Sequence, residues 1–249
     1  MKRLLASSRI QFSILLFTFL YILLLPVETH AQKIDKSKLD NAAKRSATAA
    51  LVLTSVVNVP DTIPREIFDR ARAVGVFPDL DRISFVLPNS RLAYGVICSR
   101  VPGGWSPPAY YGFGAPKIPD LKWKGRKRPD IIILFMSDKA MEEFQKGNFV
   151  FKEEMVGIAG PVGALTPEKE NEVRTANVII YALVDGRVEG LRIDANDLGG
   201  GAVNPDNNIN NAIYGLKARE VLFGKAPLWP SVLPSVSEYQ NALINLSKR

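Results

Sequence analysis

The apolar positions of this chain follow a helical period first and a strand period afterwards. From residue 33 to residue 58, Leu39, Ala42, Ala43, Ala47, Ala50, Leu51 and Val57 recur at three- and four-residue spacing, which predicts one helix with an alanine-rich face. Asp61 caps a second, short helix that carries Pro64 in its first turn and ends before Gly75. Residues 73–78, 83–87 and 92–99 are then short runs rich in β-branched and aromatic residues, broken by Pro78, Pro88, Asn89 and Pro102. Their connections are too short for helical crossovers, so antiparallel pairing is expected. Asp130 opens a further apolar strand over 131–136, and Ser137 caps a helix over 138–146 that stops at Gly147. Phe149, Phe151 and residues 155–159 predict more strand, closed by the turn Gly160-Pro161-Val162-Gly163. Residues 178–184 alternate poorly, as a strand buried on both faces does, and Asp185-Gly186 predicts a hairpin turn into 188–193. A glycine- and asparagine-rich loop, a helix over 207–223 and a proline-broken tail with a short helix over 235–247 complete the chain.

One stretch resists this scheme. Residues 103–114 pack four aromatics, two prolines and four glycines into twelve positions, which argues against a regular helix or a simple central strand and predicts a rigid, aromatic-filled turn interrupting the sheet. Its rings either plug the core or form a surface platform for a partner or a membrane. The whole pattern predicts an α+β fold: a mainly antiparallel sheet, able to curl towards a barrel, flanked by N-terminal and C-terminal helices.

Composition narrows the chemistry. Lys2, Arg3 and Arg9 precede an uncharged apolar run from Phe12 to Leu25, followed by Pro26 and the small-residue ending Thr29-His30-Ala31, which predicts a signal peptide over 1–31 cleaved after Ala31. The apolar run is shorter than the ~20 residues a bilayer-spanning helix needs. One domain over 32–249 is expected, with a core over about 40–224 and a tail over 225–249. Cleavage would remove His30, the only histidine, and with it Ser-His and Cys-His catalysis and histidine-containing zinc sites. Cys98 is the only cysteine, which precludes an intramolecular disulfide, and its strand setting predicts a buried hydrophobe. No enzyme activity, cofactor or metal is expected.

Residues 32–249 hold 29 Lys+Arg against 24 Asp+Glu, a net charge of +5 that favours anionic partners without demanding nucleic acid. Two segments concentrate the charge. Lys33, Lys36, Lys38, Lys44 and Arg45 crowd the first half of the first helix, which either lies on a membrane surface or packs its alanine face on the domain. Lys117, Lys122, Trp123, Lys124, Arg126, Lys127 and Arg128 share a proline-flanked segment with Gly125, expected as an exposed loop. Each cation near an anionic bilayer contributes on the order of 1 kcal/mol, and tryptophan prefers the headgroup zone. A solvated hairpin tip is the competing reading of that loop.

Taken in order, several short motifs resemble the SYLF domain family. They are Ala73-Val74-Gly75-Val76-Phe77-Pro78, Gly95-Val96, then Gly104-Trp105-Ser106-Pro107-Pro108, Asp130-Ile131-Ile132-Ile133-Leu134 and Ala159-Gly160-Pro161-Val162-Gly163. Tyr181, Gly190-Leu191-Arg192-Ile193-Asp194 and the spaced set Asp206, Asn210, Tyr214-Gly215 follow. The resemblance implies phospholipid binding, with phosphoinositides preferred in eukaryotic members, and membrane association helped by an N-terminal amphipathic helix, here residues 33–58. Actin binding does not carry over to an exported protein. The basic 117–129 segment stands where the family usually has a glycine- and glutamine-containing strand, and 196–203 looks like an insertion.

Three other readings were open. Asp194-x-Asn196-x-Leu198-Gly199 suggests a calcium loop, but Leu198 and Pro205 occupy positions that should supply oxygen ligands. Carboxylate pairs for hydrolysis reduce to Glu142-Glu143 and Glu153-Glu154, sequence neighbours expected on a solvated helix and strand end rather than facing one another across a cleft. An interaction module for envelope or cell-surface proteins would use the aromatic stretch and Pro227-Leu228-Trp229-Pro230. The expectation is therefore an exported, periplasmic or secreted, membrane-associated lipid-binding domain. Trp105, Ser106, Pro107, Asp206, Asn210 and Tyr214 are its family-motif residues, either structural or part of its site.

Overall fold

Helix α1, Lys36–Val57, settles the choice posed by its sequence: Ala42, Ala49, Leu53 and Val56 are fully buried together with Ser46, so the alanine face packs on the domain. Short side chains let the helix lie close to the sheet; Leu51, expected on the apolar face, is instead 70% exposed, because the buried line passes through Ser46, Ala49 and Leu53. The computed structural model describes residues 35–57, 62–83, 90–115, 128–160, 165–188, 201–224 and 233–248, all within one compact unit over 34–249.

After α2 (Arg65–Arg70) come β1 (Ala73–Phe77), β2 (Asp81–Ile83), β3 (Ser90–Val101), β4 (Gly104–Trp105), β5 (Ala109–Ala115) and β6 (Asp130–Phe135). The chain continues through α3 (Asp138–Gln145), β7 (Phe149–Val150), β8 (Val156–Ile158), α4 (Pro167–Thr175), β9 (Val178–Val184), β10 (Arg187–Val188) and β11 (Ala202–Pro205). It ends with α5 (Asn207–Tyr214), α6 (Ala218–Leu222) and α7 (Glu238–Ser247). The strands form one curled half-barrel sheet in the order β10-β9-β6-β1-β3-β5-β11-β7, with β2 and β4 on β3 and β8 on β9. Among the described residues, β8 with β9 is the only parallel pair; the rest are antiparallel, as expected for an α+β fold of this kind.

Both faces of the sheet are covered, which is why β1 and β9 are near-continuous apolar runs. Inside the curl, Phe77, Phe113, Phe135, Phe144, Phe149 and Phe151 meet with ring centroids 4.6–5.8 Å apart, closed by α3 and α6. On the outer face, α1, α2 and α7 cover Val74, Val76, Val96, Ile132, Leu134, Ile179 and Leu183.

Three expectations are corrected. Residues 109–115 do not interrupt the sheet but form β5, a central strand between β3 and β11. The alternation works because Tyr111 and Phe113 point into the aromatic core, while Gly112 and Gly114 fall opposite Tyr94 and Leu92 on the outer face. The predicted helix over 207–223 is two helices, broken at Gly215, whose φ of 67° lies in the left-handed region. Pro64 is the N-cap of α2, not a first-turn residue, and Asp61 lies outside the described residues. Helix α4 has no counterpart in the sequence expectations. It is short and largely solvated, with only Val173 buried, so it lacks an apolar period.

Backbone register defines two ends of the sheet. Leu92, Gly114, Asp130, Leu183 and Ala202 lie towards one end, and Ala73, Ser99, Phe135 and Val178 towards the other. The strand ends flanking 84–89 and 116–127 both belong to the first, which we call the loop end.

Candidate functional site

The motif residues meet in one buried network. Asp206 caps α5 by accepting a hydrogen bond from the Ile209 amide at 3.3 Å, which fixes the helix start against β11. One turn on, Asn210 is fully buried and clamps the β5 backbone: its Oδ1 accepts from the Tyr110 amide at 2.9 Å, and its Nδ2 donates to the carbonyls of Tyr110 and Asp206, each at 2.8 Å. Tyr214 completes the same helix face by donating its hydroxyl to the Pro108 carbonyl at 2.9 Å. The i, i+4, i+8 spacing thus holds one helix against the Trp-Ser-Pro-Pro segment and the start of β5.

Ser106 and Trp105 fasten the other side of that segment. The Ser99 amide donates to Ser106 Oγ at 3.0 Å, and the Ser106 amide donates to the Ser99 carbonyl at 2.8 Å; Pro107 is buried beside them. Trp105 is 2% exposed, its Nε1 donates to Ser247 Oγ at 3.0 Å, and its carbonyl accepts from Gln240 at 2.7 Å, so α7 straps over it. Tyr110, Tyr111 and Phe113 are equally buried. The stretch is core, not a platform, and Trp105 has no surface to offer a headgroup. Burial raises the Cys98 thiol well above its ordinary value, the state of an inert thiol. Burial likewise pushes up the Tyr110 and Tyr214 phenols.

The basic residues of α1 divide into committed and exposed. Arg45 donates to Asp206 at 2.9 Å with both side chains under a fifth exposed, and its guanidinium lies 4.7 Å from the centre of the Tyr94 ring. Lys38 donates to Asn208 at 2.8 Å. Both therefore fasten α1 to α5. Lys36 and Lys44 are exposed. Of the second basic segment, Arg128 is described and exposed; Lys117, Lys122, Trp123, Lys124, Arg126 and Lys127 lie outside the described residues, as do Lys33, the predicted signal peptide, Asp194 to Gly199 and Pro227 to Pro230.

A third basic group has no counterpart in the sequence expectations. At the end opposite the loops, Arg72 and Arg100 are exposed neighbours, because the Arg100 amide donates to the Arg72 carbonyl at 2.7 Å, and exposed Arg70 ends α2 two positions before Arg72. Arg100 also stacks 4.4 Å from the centre of the Trp105 ring and donates to the carbonyls of Ala71 and Asp69 at 2.9 and 3.1 Å. Burial lowers its pKa from the ordinary value; Asp69 opposes that shift and Arg72 adds to it. Twenty-eight residues separate Arg72 from Arg100 along the chain, so only the β1–β3 register reveals the group.

Among the described residues, no group of three His, Cys, Asp or Glu side chains could hold a metal ion, and no helix is long and apolar enough to cross a membrane. Residues 124–243 match the family model described as Ysc84, Las17-binding protein actin regulator. The chain carries a Ysc84/SYLF domain over these residues. No curated protein matches the chain. The SYLF family is linked to lipid binding and actin regulation and is generally a non-catalytic binding module. The match starts just before β6, yet β6 pairs with β1 over five positions and β11 with β5 over four, so the SYLF strands share their sheet with residues 73–115.

Proposed function

We propose that this SYLF-containing chain is exported and binds anionic phospholipid surfaces without catalysis, through its loop end. The observation that carries the reading is where the basic segment is anchored. Ala115 at the end of β5 and Arg128 just before β6 lie at the same end of the sheet, with β1 and β3 between the two strands. Three strand spacings amount to about 14 Å, and twelve residues extended reach roughly 40 Å, so the connection is longer than its gap demands. Six cations from Lys117 to Arg128 at about 1 kcal/mol each suffice to dock a folded domain, with Trp123 as an interfacial anchor. Helix α1 contributes in its docked position through Lys36 and Lys44. An inserted amphipathic α1 would have to expose Ala42, Ala49, Leu53 and Val56 from the core.

Co-sedimentation of residues 32–249 with neutral and anionic vesicles tests this. Binding confined to anionic vesicles and lost as salt rises is expected, as is loss of binding on joint reversal of Lys122, Lys124, Arg126, Lys127 and Arg128 to Glu. Absence of binding to anionic vesicles at low salt would overturn the reading.

A further inference from the structure

We propose that the end of the sheet opposite the loops is a second docking surface, built by Arg70, Arg72 and Arg100, and that one molecule thereby joins two anionic membrane surfaces. The inference rests on the lipid reading above but concerns residues outside both basic segments.

The fold holds the centre of the arginine group in place. Arg100 is oriented by two backbone carbonyls and the Trp105 ring, and the Arg72 backbone is hydrogen-bonded to it. Ordering the Arg100 side chain on contact with a surface therefore costs little further entropy. Guanidinium groups match phosphate oxygens in paired hydrogen bonds, the chemistry a phospholipid headgroup presents. Local acids do not cancel the charge. Asp69 pairs with Arg65 at 2.8 Å, and Asp138 meets Arg72 at 3.3 Å with side chains 78% and 53% exposed, a solvated pair of small worth. Exposed Lys139, in the first turn of α3, and Lys248, next to the Ser247 that binds Trp105, add to the same end.

Separation makes the two ends independent. Leu92 and Arg100 lie eight residues apart along β3, about 26 Å, or more than three Debye lengths at physiological salt. An anionic surface at the loop end consequently leaves the arginine end unscreened. Because the two ends face opposite ways along the strands, a monomer suffices to bridge.

Vesicles containing phosphatidylglycerol, followed by co-sedimentation and by light scattering, test the inference. The protein should both sediment with the vesicles and cluster them. Joint Arg70→Glu and Arg72→Glu should leave sedimentation within about twofold while clustering falls at least about fivefold. The milder pair Arg70→Gln and Arg72→Gln should reduce clustering by about half or more, and stands in should the reversal variant not fold. Sedimentation without clustering by the unaltered protein, or clustering unchanged in the arginine variants, would overturn the bridging inference and leave the lipid reading intact. No sedimentation with any vesicle would overturn both.

Discussion

Two sets of polar residues in this molecule differ in what their side chains do. Trp105, Ser106, Asn210 and Tyr214 turn their polar atoms inward, onto the Ser99, Tyr110 and Pro108 backbones and the Ser247 hydroxyl. Lys36, Lys44 and Arg70 lie outside, where the fold makes little use of their charge. The difference separates residues that specify the SYLF architecture from residues that are able to meet a partner. A buried amide or hydroxyl has to be satisfied, so its spacing is dictated by the scaffold. An exposed cation has no such constraint.

The contrast is most open to attack at Trp105. Trp105→Ala should cost about 3–5 kcal/mol, because it leaves a large cavity under α7 and removes the indole hydrogen bond to Ser247, while the Gln240 bond to the residue 105 carbonyl remains. The midpoint of urea unfolding at constant slope measures this. A loss under 1 kcal/mol would mean that the ring contributes little to the core and would reopen its surface role. Asn210→Ala comes next. It strands the Tyr110 amide away from water, while the Tyr110 carbonyl keeps the Asp206 amide, and should cost about 1–3 kcal/mol in the same measurement.

Arg45 sits on the boundary between the two sets. The sequence assigns it to a lipid-facing group, yet its pair with Asp206 is more than four-fifths buried. Arg45→Ala and Asp206→Ala should each destabilise by about 1–2 kcal/mol, and the double variant should lose less than their sum by about 1 kcal/mol. Strict additivity would show that the pair does not hold α1 to α5.

How far the sequence reveals this molecule depends on whether the signal is local. The α1 helix, the Ser137 cap of α3, the Asp185-Gly186 hairpin and the two-sided burial of β9 are local patterns, and each appears in the structure, although the buried line of α1 runs through Ala42, Ser46, Ala49, Leu53 and Val56 and not through Leu51. Strand β5 escaped because Gly112 and Gly114 look like breakers until β3 and β11 are laid beside them. The role of Asn210 depends on Tyr110, one hundred residues away, and the arginine group depends on the β1–β3 register. Motif spacing marked Asp206, Asn210 and Tyr214 as a unit without telling what they hold. The direction of α1 was balanced in sequence because alanine suits both a close-packed face and a weakly amphipathic surface helix. Complete burial of Ala42 and Ala49 decides it.

The smallest expected effect on stability is the sharpest test of the exposed set. Lys36→Gln with Lys44→Gln removes two cations from α1 without touching its buried face, so unfolding should shift by less than about 0.5 kcal/mol. Binding to anionic vesicles at low salt should nevertheless weaken, by about threefold or more, since even a fraction of the ~1 kcal/mol per cation near a bilayer has that effect. The two readouts should move apart. If both stay constant, α1 is scaffold along its whole length, and membrane attraction would have to come from the loop end alone. If stability falls along with binding, these lysines belong with Asn210 and Trp105, and exposure is a poor guide to function in this fold.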